Sequence, residues 1–155
     1  MTIQPPDVIK GSERVSDPFS PLFALVNFYR AFNQRDMALM EANWLSASTA
    51  SMSNPLGGVK RGWPSIRTVY QYIFEGPARV YVEFYDYTIH QAGDLFCTVG
   101  RERGYFRIGD DEISLAIRTS RIYQRVGKEW KQLHHHGSMD DPDCLKSYQA
   151  AVVRG

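Results

Sequence analysis

The residues best suited to chemistry lie in one stretch, Ile113 to Ser138, which holds Arg121 and the run His134, His135, His136 on either side of a Gly127–Lys128 turn. A guanidinium is a planar fork of donors matched to a carboxylate. An imidazole with a pKa of about 6.5 can act as a general base at neutral pH. Upstream, Asp86 stands in Phe84-Tyr85-Asp86-Tyr87 and Arg101 follows Leu95-Phe96-Cys97-Thr98-Val99-Gly100. A carboxylate base in an apolar cavity, with a tyrosine to hold an oxyanion, is a known way to move a proton next to a carbonyl. Consecutive strand positions point to opposite faces, so Asp86 cannot share a face with Tyr85 or Tyr87, and one of the two roles must come from elsewhere.

Strand parity sorts these groups. Leu95, Cys97 and Val99 share a face that continues to Arg101; Ile113, Leu115 and Ile117 share one that continues through Thr119 to Arg121. Both strands begin apolar and end in arginine on one side, which places Arg101 and Arg121 at the polar mouth of a cavity with an apolar closed end. The alternative is that both arginines are surface residues or pair with Glu83, Asp86 or Glu102. In the last strand His134 and His136 fall with Trp130, and His135 with Leu133. If Leu133 is core, His135 enters the cavity and the other two face outward. A His-x-His pair can chelate a metal, but zinc needs a third ligand and the sequence places none nearby, so no metal site is expected.

These groups need a sheet to position them, and the period of the sequence supplies one. Arg79–His90, Leu95–Arg107, Ile113–Val126 and Glu129–His136 alternate with a period of two and are rich in aromatic and β-branched residues. Their short turns predict an antiparallel meander. Three helices precede it. Ser20–Pro21 is a cap followed by Pro at the first helical position, and Leu22, Leu25, Val26, Phe28, Tyr29 and Phe32 recur at helical spacing. Asp36 caps a second helix carrying Met37, Met40 and Trp44. Trp63–Pro64 opens a third, which Gly76–Pro77 closes. Asp141–Pro142 begins a short terminal helix. Residues 1–20 are polar and Pro-containing and read as a tail or a segment draped over a single domain spanning 21–155. Helices followed by a curved antiparallel sheet that wraps around them make an α+β cone.

Composition narrows the function classes. At 155 residues and 43% apolar, the chain has enough material for one core. Eighteen basic against 17 acidic residues leave a net charge of +1, which argues against a nucleic-acid surface. No apolar run approaches the length of a membrane span. Cys97 and Cys144 have no metal-ligand spacing and fit a reducing compartment, so a cytoplasmic protein is expected.

The order of elements, with Asn54-Pro55 to Gly62-Trp63, Gly93-Asp94, Arg118–Ser120 and Trp130-(x)3-His134-x-His136-x-Ser138, resembles the nuclear transport factor 2-like superfamily. Within it the chain is most similar to SnoaL-like polyketide-cyclase relatives and to the association domain of calcium/calmodulin-dependent kinases. The resemblance covers about Pro21 to Met139 and implies a cystatin-like cone, often in homodimers or larger rings. Arg121 matches an arginine that faces the anion-accepting pocket of the kinase association domains. The resemblance implies no single activity, because members include isomerases, dehydratases, cyclases, hydrolases and assembly modules.

Three readings follow. The first is a small-molecule-binding domain whose anionic or polar-aromatic ligand meets Trp44, Tyr85, Arg101, Arg121 and His135. The second is a cofactor-free isomerase, dehydratase or cyclase with His135 or Asp86 as general base. The third is a non-catalytic assembly module. A homodimer through the outer sheet face is expected in each, with no cofactor, nucleic acid or membrane partner.

Overall fold

The structure, a computed structural model, describes residues 5–153. Four helices pack on one curved, unclosed sheet of seven strands. The strands are β1 (Val8–Ile9), β2 (Ser51–Ser53), β3 (Lys60–Arg61), β4 (Arg79–Ala92), β5 (Leu95–Ile108), β6 (Asp111–Val126) and β7 (Glu129–Met139). The helices are α1 (Pro21–Gln34), α2 (Met37–Asn43), α3 (Trp63–Glu75) and α4 (Pro142–Val153).

Local chemistry sets the helix ends. The Phe23 amide donates to Ser20 Oγ at 3.2 Å, and Pro21 opens α1. The Leu39 amide donates to Asp36 Oδ1 at 3.0 Å and starts α2. Each cap satisfies a donor that the first helical turn leaves free. Leu25, Val26, Phe28, Tyr29 and Phe32 of α1 are buried inside the curve of the sheet.

The sheet order is β1-β4-β5-β6-β7-β2-β3. Strands β4 to β7 form the expected antiparallel meander. Three short strands extend it. β2 runs parallel to β7, setting Met52 beside His135, and β3 pairs with β2. At the far edge β1 pairs with β4, so part of the polar opening segment is an edge strand, with Ile9 fully buried.

Two irregularities decide which side chains face inward. In β4 the register shifts between Tyr85 and Thr88, where Asp86 adopts a left-handed conformation (φ 48°). Opposite the bulge lies Gly100, where a Cβ would approach Tyr87 Cβ to 2.7 Å and the Phe84 ring to 2.9 Å. Tyr87 is thereby free to stack on Phe84 at 5.1 Å. In β7 Ile122 pairs with His134 but Tyr123 pairs with Gln132, so Leu133 is the extra residue of a second bulge.

These features correct three sequence expectations. On β5 the inward set is Phe96, Thr98, Glu102 and Phe106, the parity opposite to the Leu95–Arg101 series. On β7 Trp130 and Gln132 face inward, and the bulge keeps His135 on the same side. Leu133, expected in the core, is not. The inward face is also layered differently from an apolar floor under a polar mouth. Phe96, Tyr123 and Trp130 form an aromatic layer, with ring separations of 4.6 Å and 5.0 Å from Phe96. A polar belt of Thr98, Arg121, His135, Thr119 and Glu102 follows, and Phe106 and Leu115 are apolar again beyond it.

Candidate functional site

Arg121 is the centre of the polar belt and is 1% exposed. Its Nη2 donates to Glu102 Oε2 at 3.1 Å and its Nη1 to Gln132 Oε1 at 2.8 Å. Its Cζ stands 3.6 Å from the centroid of the Phe28 ring on α1. A guanidinium seated on an aromatic face in a desolvated site gains on the order of 0.5–2 kcal/mol. Burial opposes the Arg121 charge, but the surrounding Tyr29, Glu102, Tyr70 and Tyr123 oxygens more than offset it and raise its pKa.

Glu102 is satisfied on both oxygens. Tyr29 Oη donates to Oε2 at 2.7 Å and Thr119 Oγ1 to Oε1 at 2.9 Å. The network continues away from the arginine. Gln132 Nε2 donates to Asn43 Oδ1 at 3.2 Å, Tyr123 Oη to the same oxygen at 2.9 Å, and Asn43 Nδ2 to the Ala24 carbonyl at 2.9 Å. A buried ion pair needs such partners to offset the loss of water.

A small cavity of about 40 Å³ opens above this belt. Its polar wall is Arg121, Glu102 and His135, and its apolar wall includes Phe28, Phe32, Met52, Ile73 and Ile117. Tyr70 of α3 and Tyr148 of α4 complete the lining with Asn54 and Pro55. Gln149 Nε2 donates to the Pro55 carbonyl at 2.9 Å, tying α4 to that loop. Below His135, Gly137 leaves room for the ring: a Cβ there would lie 3.2 Å from His135 Nε2.

Among the described residues, four buried side-chain atoms have no hydrogen-bond partner: Trp44 Nε1, Tyr70 Oη, Arg121 Nε and His135 Nδ1. Three of the four belong to the cavity lining, and Trp44 is one ring further back, 6.3 Å from Tyr70. Buried polar atoms are nearly always paired, and these four are close to partners: Trp44 and Arg121 lie near enough to the Tyr70 hydroxyl to pull its pKa down, and the Ser120 backbone does the opposite for His135. Burial holds the His135 pKa well below the usual histidine value, and the neighbouring Arg121 charge adds to the effect. Tyr70 is raised by burial, with Arg121 pulling the other way.

The profile match decides the family. A family model described as a SnoaL-like domain matches residues 23–142. The chain belongs to the SnoaL-like domain family. Solved structures agree on the fold. A Streptomyces avermitilis protein of the NTF2-like family, assigned as a dehydratase, matches with a TM-score of 0.70 at 18% identity, over 76% of this chain and 91% of that one. A Thiobacillus denitrificans protein, assigned as a calcium/calmodulin-dependent protein kinase type II association domain, gives 0.65 at 24% identity, over 79% and 96%. A ketosteroid isomerase-like protein from Erwinia carotovora atroseptica gives 0.64 at 16% identity, over 77% and 93%. No curated protein matches the chain.

The SnoaL-like cone thus brings together only part of the set expected from the sequence. Arg121 and His135 line the cavity. Trp44 is buried one ring away. Arg101 is excluded from it: its side chain is 64% exposed and its Nε lies 3.2 Å from Asp86 Oδ2. Asp86 is itself 69% exposed on the bulge, which removes it as a base in an apolar cavity. Tyr85 lies on the outer face, covered by Arg103 at 4.3 Å. His134 and His136 also lie outward, His134 Nδ1 being 2.7 Å from Ser51 Oγ. Sequence reasoning missed Glu102 and Tyr70 as lining residues, and Gln132 as the second acceptor of Arg121 behind them. Phe96 and Phe106 share parity with Glu102, and weighting those large rings above Leu95, Cys97 and Val99 would have found it. Among the described residues no group of three or more His, Cys, Asp and Glu could hold a metal ion. Nor is any helix long and apolar enough to cross a membrane.

Proposed function

We propose that this SnoaL-like domain binds a small polar or polar-aromatic molecule in the cavity between Arg121, His135 and Tyr70. The observation that supports the reading is the cluster of buried polar side chains, Arg121, Glu102, His135 and Tyr70, around one aromatic-walled space. A ligand that reaches them gains hydrogen bonds in a dry site, where each is stronger than in water. A screen of small ring compounds by ligand-observed NMR tests this. Hits should lose their signal when Arg121 is replaced by Leu or Tyr70 by Phe. Hits unaffected by both substitutions would place the binding elsewhere.

A second reading, a cofactor-free isomerase, dehydratase or cyclase, draws support from one residue. His135 is held neutral by burial, beside a buried cation able to polarise a carbonyl. His135→Gln should then abolish turnover of a bound hit while leaving its binding intact.

We also propose a homodimer through the outer face of the sheet. Val99 and Leu95 are exposed there, and Tyr81 stacks on Tyr105 at 5.6 Å on the same side. These exposed apolar side chains stand among the ion pairs Arg101–Asp86 and Arg103–Glu83, a mixed surface of the kind a partner can cover.

A further inference from the structure

The cavity above the polar belt is small because the last helix closes it. At about 40 Å³ it has room for a few waters, whereas ligand pockets commonly measure about 300–1,000 Å³. One wall is Tyr148 of α4, with Asn54 and Pro55 beside it. The Tyr148 ring rests on Phe106 of β5 with 5.5 Å between centroids, and both rings are buried. Phe106 in turn faces a second space of about 250 Å³, a groove between Ile108 and Ile113 of the sheet and Ser147, Ala150 and Ala151 of α4. Two neighbouring spaces are therefore divided by one pair of rings, and one ring of the pair is carried by α4.

The attachment of α4 is light. Asp140 and Asp141 alone join it to β7, and Asp141 caps it by accepting from the Asp143 amide at 3.0 Å. Its buried apolar residues are Tyr148, Ala151 and Val152, and Tyr148 is the one ring among them. Among the described residues two side-chain hydrogen bonds tie the helix to other elements. Gln149 Nε2 donates to the Pro55 carbonyl at 2.9 Å, and Cys144 Sγ, a weak thiol donor, to the Ser114 carbonyl at 3.3 Å. Toward the groove α4 turns only short side chains, so it has space to move into. Elements held this way open locally before the rest of a fold does.

We propose that α4 is a gate on the cone, worked by Tyr148. In the closed form the Tyr148–Phe106 pair shuts the cavity off. A shift of α4 into the groove lifts Tyr148 from Phe106, joins the two spaces and admits a ring-sized molecule to Arg121 and His135. This rests on the binding reading above and gives that site its entry and its room. The affinity of such a ligand is then scaled by the fraction of molecules that are open.

Stopped-flow association of naphthol, a fluorescent aromatic alcohol too large for the closed cavity, tests the gate on the full chain, alongside hydrogen exchange of its amides. Two substitutions outside the cavity lining act in opposite senses. Gln149→Ala removes the tie to Pro55 and should raise the binding rate several-fold. Ala150→Leu fills the groove that α4 needs and should lower it at least about tenfold. In the wild type the observed rate should level off with naphthol concentration at the rate of opening, and the α4 amides should exchange ahead of those of β5 and β6. Rates that rise in proportion to concentration and match in all three proteins overturn the gate but leave the cavity as a binding site. Amides of α4 that exchange only when the central strands do overturn it as well. Binding lost with Ala150→Leu but indifferent to Gln149→Ala would place naphthol in the groove alone and also overturn the gate. Should Ala150→Leu fail to fold, an unchanged rate in Gln149→Ala decides against it. If naphthol binds none of the proteins, the gate and the binding reading fall together.

Discussion

Arg121 and His135 are direct cross-strand partners on β6 and β7, and both side chains point into the cone. Cross-strand neighbours on one face lie close enough to interact through space. The cation therefore adds to burial in disfavouring a proton on His135. In the unfolded chain the histidine titrates at about 6.5, and in the folded chain well below it. Above that value neither state is protonated and the contribution to stability is complete. As the pH falls through about 6.5 the unfolded state takes up a proton that the native state refuses, so stability drops.

The drop should reach at most about 1.4 kcal/mol per pH unit for this histidine. Urea titrations of the wild type between about pH 7.5 and 5 should show it, and His135→Gln should flatten it. His134, also lowered by burial, leaves a smaller residual slope. A variant whose pH dependence matched the wild type would show that His135 is not held neutral.

The Arg121–Glu102 pair should behave as a unit. Arg121→Met leaves Glu102 buried without its cation, and Glu102→Gln does the converse. Each single change should cost about 3–5 kcal/mol, and the double variant much less than their sum. Additive losses in a double-mutant cycle would mean that the two groups do not stabilise one another.

How the site escaped the sequence follows from the same strands. The capped helices and the meander are written locally: Ser20–Pro21 and Asp36 are caps, and the short turns join strands of plain alternation. Which strand face is inward is not local. On β5 the apolar run Leu95, Cys97, Val99 mimics a core face, whereas Phe96 and Phe106 fill the core. On β7 the bulge at Leu133 puts Trp130 and His135 on one side despite their odd spacing. A one-residue slip exchanges the faces of a strand. Arg121 was legible because β6 has no bulge before it. Its carboxylate partner was one of three alternatives, with Glu83 and Asp86, and could not be singled out because Glu102 lies on the strand whose parity was inverted.

Tyr70 Oη is buried with no hydrogen bond of good geometry, although Trp44 and Arg121 lie close enough to lower its pKa. Tyr70→Phe should leave stability unchanged or raise it by up to about 1–3 kcal/mol, the penalty of an unsatisfied buried group. The ring contacts with Phe28, Trp44 and Phe74 survive the change. A thermal melt checks it. A marked destabilisation would mean that the hydroxyl has a partner in solution, and the case for a ligand at that position would weaken accordingly.

The outer face of the sheet offers the last test. Val99 lies at its middle, flanked in register by Thr88 and Ser120, and is 46% exposed. The inward neighbours Thr98 and Gly100 belong to the cone, so a change at Val99 leaves the cavity untouched. Light scattering at tens of micromolar should give twice the 17.7 kDa chain mass. Val99→Glu should return the monomer with an unchanged melting temperature at low protein concentration, because a charge placed in a buried apolar contact opposes association without disturbing the protomer. A wild-type chain that scatters as a monomer would leave the exposed Val99 and Leu95 as isolated surface residues and remove the dimer from the proposal.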